Sequence, residues 1–177
     1  MTNRQLDVLV KEIKRVTSRL TSVPDTADSV AEVLRANLPT SDLLTEEQLR
    51  GDPDTYTQHV LHAEPDGLFS IVALVWRPGQ RTPIHDHLCW CVVGVVEGAE
   101  SEVVYRLVED ESGQALKPVA STRNARGDVC AFAPPGDIHE VRNIGAETAV
   151  SLHVYGADIS RVGSSVRRRY ALPVLAG

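Results

Sequence analysis

The chain has 177 residues, 42% of them apolar and 24% charged, with a net charge of −6, which fits one soluble domain over residues 1–177 with a sizeable core. The acidic balance argues against a nucleic-acid binder, which would carry a basic face, and the short Arg167–Arg169 run does not change that. No apolar run approaches the roughly 20 residues needed to span a bilayer, and the mixed charges of MTNRQLDVLVKEIKR lack the apolar stretch of a signal peptide, so the expected location is cytoplasmic.

Residues 3–21 predict a helix, because Leu6, Leu9, Ile13, Val16 and Leu20 recur at steps of three and four and form one apolar stripe. Thr2 or Asn3 is placed to cap it. A second stripe, Ala27, Val30 and Leu34, predicts a helix over 26–37, and a short third helix starts at Thr45 with Glu46 and Glu47 in its first turn. Residues 1–52 are thus a helical N-terminal segment. From Pro53 the texture changes to short runs rich in Val, Ile, Leu, Thr and Tyr, separated by Gly, Pro and Asp. Strands are expected at 56–63, 69–76, 91–96, 102–109, 128–132, 138–142 and 148–155. The fold class is therefore mainly β, a sandwich or barrel over 53–177, with the helices packed against it. Cys89, Cys91 and Cys130 are odd in number and lack metal-pair or redox-pair spacing, so Cys89 and Cys130 read as free, partly buried thiols, while Cys91 is a different case.

The histidines carry the chemistry. In Pro83-Ile84-His85-Asp86-His87, side chains two apart on an extended chain point the same way, so His85 and His87 can grip one ion. Gly136-Asp137-Ile138-His139 can supply a third imidazole from another strand. Three neutral imidazoles hold a divalent metal and leave positions open; zinc and iron both accept that set. In Ser151-Leu152-His153-Val154-Tyr155 the three polar side chains share one face, opposite Val150, Leu152 and Val154. A polar line inside a barrel must be satisfied, and a relay from Ser151 through His153 to the Tyr155 hydroxyl does so. No Gly-X-Ser-X-Gly elbow accompanies Ser151, which removes a hydrolase reading. His59 and His62 read as polar strand residues.

The wider spacing resembles the two cupin motifs. Gly79, five residues, His85, one residue, His87, three residues, Cys91, six residues and Gly98 match the first, with Cys91 where a Glu ligand is usual. Gly127, six residues, Pro134, one residue, Gly136, two residues, His139, three residues and Asn143 resemble the second, with one residue extra after the glycine. The resemblance implies a double-stranded β-helix, a jelly-roll barrel. Without the Glu, three neutral histidines keep the site cationic, which suits an anionic thiolate.

From Tyr56 to Tyr155 the chain resembles the thiol dioxygenases, that is, cysteine dioxygenase and bacterial 3-mercaptopropionate dioxygenase. The resemblance implies Fe(II) on His85, His87 and His139, and a relay of Ser151, His153 and Tyr155. Trp90 is expected to line the pocket. In the segment Tyr56-Thr57-Gln58-His59, Gln58 stands where animal cysteine dioxygenases carry a carboxylate-binding Arg, so it is similar to the mercaptopropionate branch. In that branch a later Arg serves the carboxylate, which puts Arg167 and Arg168 forward, with Arg161 nearby. Cys91 points the other way, since a Cys at this motif position forms a thioether with the relay tyrosine in animal enzymes; Cys91 and Tyr155 are both present. The implied activity is oxidation of a small thiol by dioxygen to a sulfinic acid, with 3-mercaptopropionate favoured and L-cysteine the alternative. A cupin of other metal chemistry and a small-molecule sensor are the more distant readings.

Overall fold

A computed structural model describes residues 4–19, 22–110 and 113–176. The first helix, α1 (Arg4–Thr17), buries Leu9, Ile13 and Val16; the caps expected at Thr2 or Asn3, and Leu20, lie outside the described residues. The second, α2 (Val23–Ala36), starts where the Ser22 hydroxyl accepts a hydrogen bond from the Asp25 amide at 3.2 Å, and it buries Ala27, Val30 and Leu34. After a 3-10 turn at Ser41–Leu43 comes α3 (Glu46–Leu49). Its start is held reciprocally: Gln48 N donates to Thr45 Oγ1 at 3.2 Å and Thr45 N to Gln48 Oε1 at 2.8 Å.

The strands are β1 (Thr57–Ala63), β2 (Ser70–Trp76), β3 (His85–His87), β4 (Cys91–Glu97), β5 (Ala99–Asp110), β6 (Gly113–Ala125), β7 (Val129–Phe132), β8 (His139–Asn143), β9 (Ala149–Tyr155) and, after a short helix α4 (Ile159–Val162), β10 (Val166–Arg169). They form two five-stranded sheets, ordered β1-β2-β9-β4-β7 and β10-β3-β8-β5-β6. All strand pairings are antiparallel. This is the jelly-roll architecture expected. Among the described residues no helix is long and apolar enough to cross a membrane.

The first sheet is covered on both faces. Ile71, Ala73, Val75, Val92, Val150, Leu152 and Val154 pack with α1 and α2 on one side. Val72, Leu74, Trp76, Cys91, Val93 and Tyr155 pack inside the barrel on the other. Hence every residue of β2 and β9 is buried, and each fully buried aliphatic side chain contributes about 1.5–3 kcal/mol. Gly94 lets α2 approach this closely, because a Cβ there would lie 2.6 Å from Leu38 Cδ1 and 3.0 Å from Leu34 Cδ2.

Strands β3, β6 and β10 were not among the strands expected, although His85–His87 was read as extended. Strand β6 is largely exposed, is polar and contains Pro118, features that argue against a strand. It is nonetheless the edge of the second sheet, and Pro118 sits where the register slips by one residue, a position that tolerates a missing amide. Strand β10 is arginine-rich and has no apolar alternation to announce it; its partner β3 defines it.

Candidate metal centre

Strand β3 is three residues long, and its alternation turns His85 and His87 to the same side. His139 opens β8 and is the register partner of His85. The three rings have centroids 4.7–5.0 Å apart, and their ligand atoms lie within 4.8 Å of one another, all buried. Each ring is anchored through Nδ1. His85 Nδ1 meets the Pro83 carbonyl at 2.9 Å, His87 Nδ1 meets Asp137 Oδ2 at 2.9 Å, and His139 Nδ1 meets Glu102 Oε1 at 2.7 Å. A carbonyl or carboxylate oxygen can only accept, so each Nδ1 carries the hydrogen and each Nε2 keeps a free lone pair. His139 Nε2 is buried with no hydrogen-bond partner among the described residues, a costly arrangement unless a ligand completes it. The donor set therefore fits a divalent metal. Burial, then the neighbouring His139 and His87 imidazoles, push His85 down to about 3, which keeps it neutral and able to ligate.

The cavity above the triad has a volume of about 80 Å³. That is far below the roughly 300 Å³ or more of pockets for drug-sized ligands, so it suits a molecule of few heavy atoms. Tyr155 lines it, with the Ser-His-Tyr line behind. Tyr155 Oη is 3.2 Å from His153 Nδ1, His153 Nε2 is 3.0 Å from Ser151 Oγ, and Trp76 Nε1 donates to that Oγ at 3.0 Å. Burial and the surrounding imidazoles push His153 down to about 3, so it is neutral. Burial likewise raises Tyr155 well above the usual phenol range. Cys91 is the cross-strand partner of Tyr155, and its Sγ lies 3.9 Å from His153 Nδ1.

Gln58, an exposed residue, lines the cavity from β1. The other substrate-side expectations fall elsewhere. Trp90 precedes the inward-facing Cys91, so alternation turns it out toward the helices, where Gly156 N donates to its carbonyl at 2.9 Å. The indole inside the barrel is Trp76 instead, which lines the cavity and stacks on Tyr56 at 4.5 Å. Neither Arg167 nor Arg168 lines the cavity. Arg167 pairs with Asp86, which also accepts from the Tyr170 hydroxyl at 2.9 Å, and Arg168 lies over the Tyr170 ring at 4.7 Å. Arg161 pairs with Asp158 at 3.0 Å.

The arginine that lines the cavity is Arg169, with Val166, Ser164 and Ser165. Val166 and Arg169 are three apart and would face opposite sides of a regular strand. The register slips between Val166 and Arg168, and the extra residue returns both to the cavity. His59 and His62 are polar strand residues bonded to Thr57 (3.3 Å) and Glu64 (3.2 Å). Sequence reasoning also missed Glu102, Asp137 and Asp86. Asp137 stands within the motif itself, and its reach back to His87 was its one local signal.

A family model described as cysteine dioxygenase type I matches residues 21–167. Cysteine dioxygenase type 1 from Rattus norvegicus is 30% identical over 107 residues, covering 59% of this chain and 52% of the relative. The Homo sapiens protein of the same name is 31% identical with the same coverage. The chain thus spans about half the length of the curated relatives it matches. A solved RmlC-like cupin protein from Desulfovibrio desulfuricans is 24% identical, with 63% of this chain and 92% of that chain covered and a TM-score of 0.45.

Proposed function

The chain belongs to the cysteine dioxygenase type I family, and we propose that it is an iron(II)-dependent dioxygenase that converts a small thiol carboxylate, 3-mercaptopropionate before L-cysteine, to its sulfinic acid. The observation that carries this is the convergence of three buried, Nδ1-anchored imidazoles on the floor of a small cavity that also holds Tyr155 and Arg169. His85, His87 and His139 would hold the metal. Ferrous iron, held there, would supply a cationic redox centre for the oxidation of a thiolate by dioxygen. Both oxygen atoms end on sulfur, which gives up four electrons as R–S⁻ and O2 become R–SO2⁻.

The chain's own residues orient and enclose. Arg169 offers a planar fork to the carboxylate, and Gln58 a neutral donor beside it. Tyr155 brings a hydroxyl to the reacting end. Leu74, Val93 and Val141 line the wall and keep water out. The same lining favours 3-mercaptopropionate. Among the described residues no carboxylate lines the cavity, so the ammonium of L-cysteine has no anion to meet. L-cysteine is the second reading, favoured by the name that the rat and human relatives carry.

The test is oxygen uptake by the Fe(II)-loaded protein against a panel of small thiols, with the sulfinic acid product identified by mass. The expected ranking in kcat/KM is 3-mercaptopropionate, then L-cysteine, then thiols without a carboxylate. Uptake that ignores the carboxylate would remove Arg169 from the substrate, and no thiol-dependent uptake would remove the activity.

A further inference from the structure

Strand β5 turns two carboxylates into the barrel, and only Glu102 is accounted for by a histidine. Glu100 is 1% exposed, and its Oε1 has no hydrogen-bond partner among the described residues. An unpaired buried carboxylate is expensive and calls for a reason. Its hydrogen-bonding neighbour is the Ser151 hydroxyl, at the far end of the Tyr155 relay. We propose that Glu100 is a fourth member of that relay, a positioning residue whose protonation decides whether Tyr155 presents a hydrogen or a lone pair to the cavity. The proposal deepens the dioxygenase reading and rests on it for its catalytic meaning, though not for its geometry.

The argument is a count of hydrogens. Ser151 Oγ has one hydrogen to give and two lone pairs. Trp76 Nε1–H occupies one lone pair at 3.0 Å. One donation and one acceptance remain for two neighbours, His153 Nε2 at 3.0 Å and Glu100. An ionised Glu100 can only accept, so it takes the Ser151 hydrogen. Ser151 then accepts from His153 Nε2–H, His153 Nδ1 is left with a lone pair, and the Tyr155 hydroxyl donates back to it across 3.2 Å. Tyr155 then offers the cavity only lone pairs. A protonated Glu100 reverses every step. It donates to Ser151, Ser151 donates to Nε2, Nδ1–H donates to the Tyr155 oxygen, and the Tyr155 hydrogen is free for an anion in the cavity.

Both states are accessible near neutrality. Burial pushes Glu100 up to about 7, against the Ser151 hydrogen bond and with the Glu102 charge adding to it. The groups around Glu100 are Glu102 on its own strand, Ser151 and through it His153 on β9, Cys130 on β7 and, in register on β8, Asn143, whose amide is committed to the Trp76 and Glu147 carbonyls at 2.9 Å. Tyr155 has a second hydroxyl neighbour in Ser165.

The experiment reads the His153 tautomer directly, by two-bond proton–nitrogen correlation in the full chain labelled at histidine nitrogen. It is run with zinc in the triad and again without metal, and His153→Gln assigns the signals. In the parent, His153 should carry its proton on Nδ1 at low pH and on Nε2 at high pH, changing over within roughly one unit of the Glu100 midpoint. Glu100→Gln, whose amide donates to Ser151, and Glu100→Leu, which leaves Ser151 to donate to His153, should both lock the Nδ1–H form across that range.

In turnover, kcat of the parent should fall as pH rises through the same midpoint. Glu100→Gln should flatten that fall with KM within about twofold, a split that a merely structural role would not give. A single tautomer throughout in the parent, or a transition that persists in either folded variant, overturns the proposal. A transition present in the parent and absent from both variants, in a protein that oxidises no thiol, leaves the relay assignment standing and removes the dioxygenase reading.

Discussion

Glu102 is the sharpest probe of how the protein prepares its metal site. Its Oε1 lies 2.7 Å from His139 Nδ1, with side chains 5% and 4% exposed, so water can replace neither partner. Glu102→Gln keeps an acceptor and hence the tautomer, but loses the charge. A charged hydrogen bond contributes about 1.5–3 kcal/mol against about 1 for a neutral one. The difference, about 0.5–2 kcal/mol, corresponds to roughly 2- to 30-fold in affinity. Glu102→Leu removes the acceptor altogether, strands Nδ1–H in the interior and frees the ring to turn. The loss should then reach about 10- to 100-fold. Zinc affinity at neutral pH, measured by competition with a chromophoric chelator, checks the order parent, Gln, Leu, with circular dichroism confirming the fold. Glu140→Gln is the control, since Glu140 neighbours His139 in sequence but pairs with the exposed Arg81 at 3.3 Å. If both Glu102 variants bind zinc within about twofold of the parent, anchoring of Nδ1 does not prepare this site and the reasoning fails.

Three further outcomes are expected. Arg169→Gln should raise KM for a thiol carboxylate about tenfold or more while Arg168→Gln leaves it within about twofold; steady-state kinetics showing the reverse would return the carboxylate to Arg168. Cys91 and Tyr155 face each other across β4 and β9, so aerobic turnover should remove two hydrogens as a thioether forms, with dioxygen as oxidant; an intact mass unchanged in the parent, or changed equally in Cys91→Ala, would exclude the link. Glu100 binds its proton more tightly folded than unfolded, because burial raises it from 4.5 to about 7. Its contribution to stability is therefore full below the unfolded value and is lost as pH rises to the folded one, about 3 kcal/mol in all. Denaturant unfolding of Glu100→Gln should show a correspondingly smaller loss between pH 4.5 and 7 than the parent, and parallel curves would place Glu100 in a less buried setting.

The sequence by itself determined whatever repeats over a few residues. The apolar stripes of α1 and α2 follow the helical period, the Thr45 cap is local, and His85 with His87, or Ser151 with His153 and Tyr155, share a face because alternation along a strand needs no partner. Even the third imidazole was legible, since its motif marks the start of β8.

Only the tertiary structure decided the rest. Arg169, and not Arg167 or Arg168, reaches the cavity because β10 slips one residue against β3, an irregularity set by the partner strand. Trp76, and not Trp90, lines the cavity, and the sequence could not tell them apart because β2 and β4 are covered on both faces, which erases the polar alternation that would have marked the inner one. Glu100 lay outside the strand expected at 102–109 and Glu102 at its start; the meeting of Glu102 with His139 needs β5 paired beside β8 in one sheet, and that of Glu100 with Ser151 needs the two sheets to close on each other.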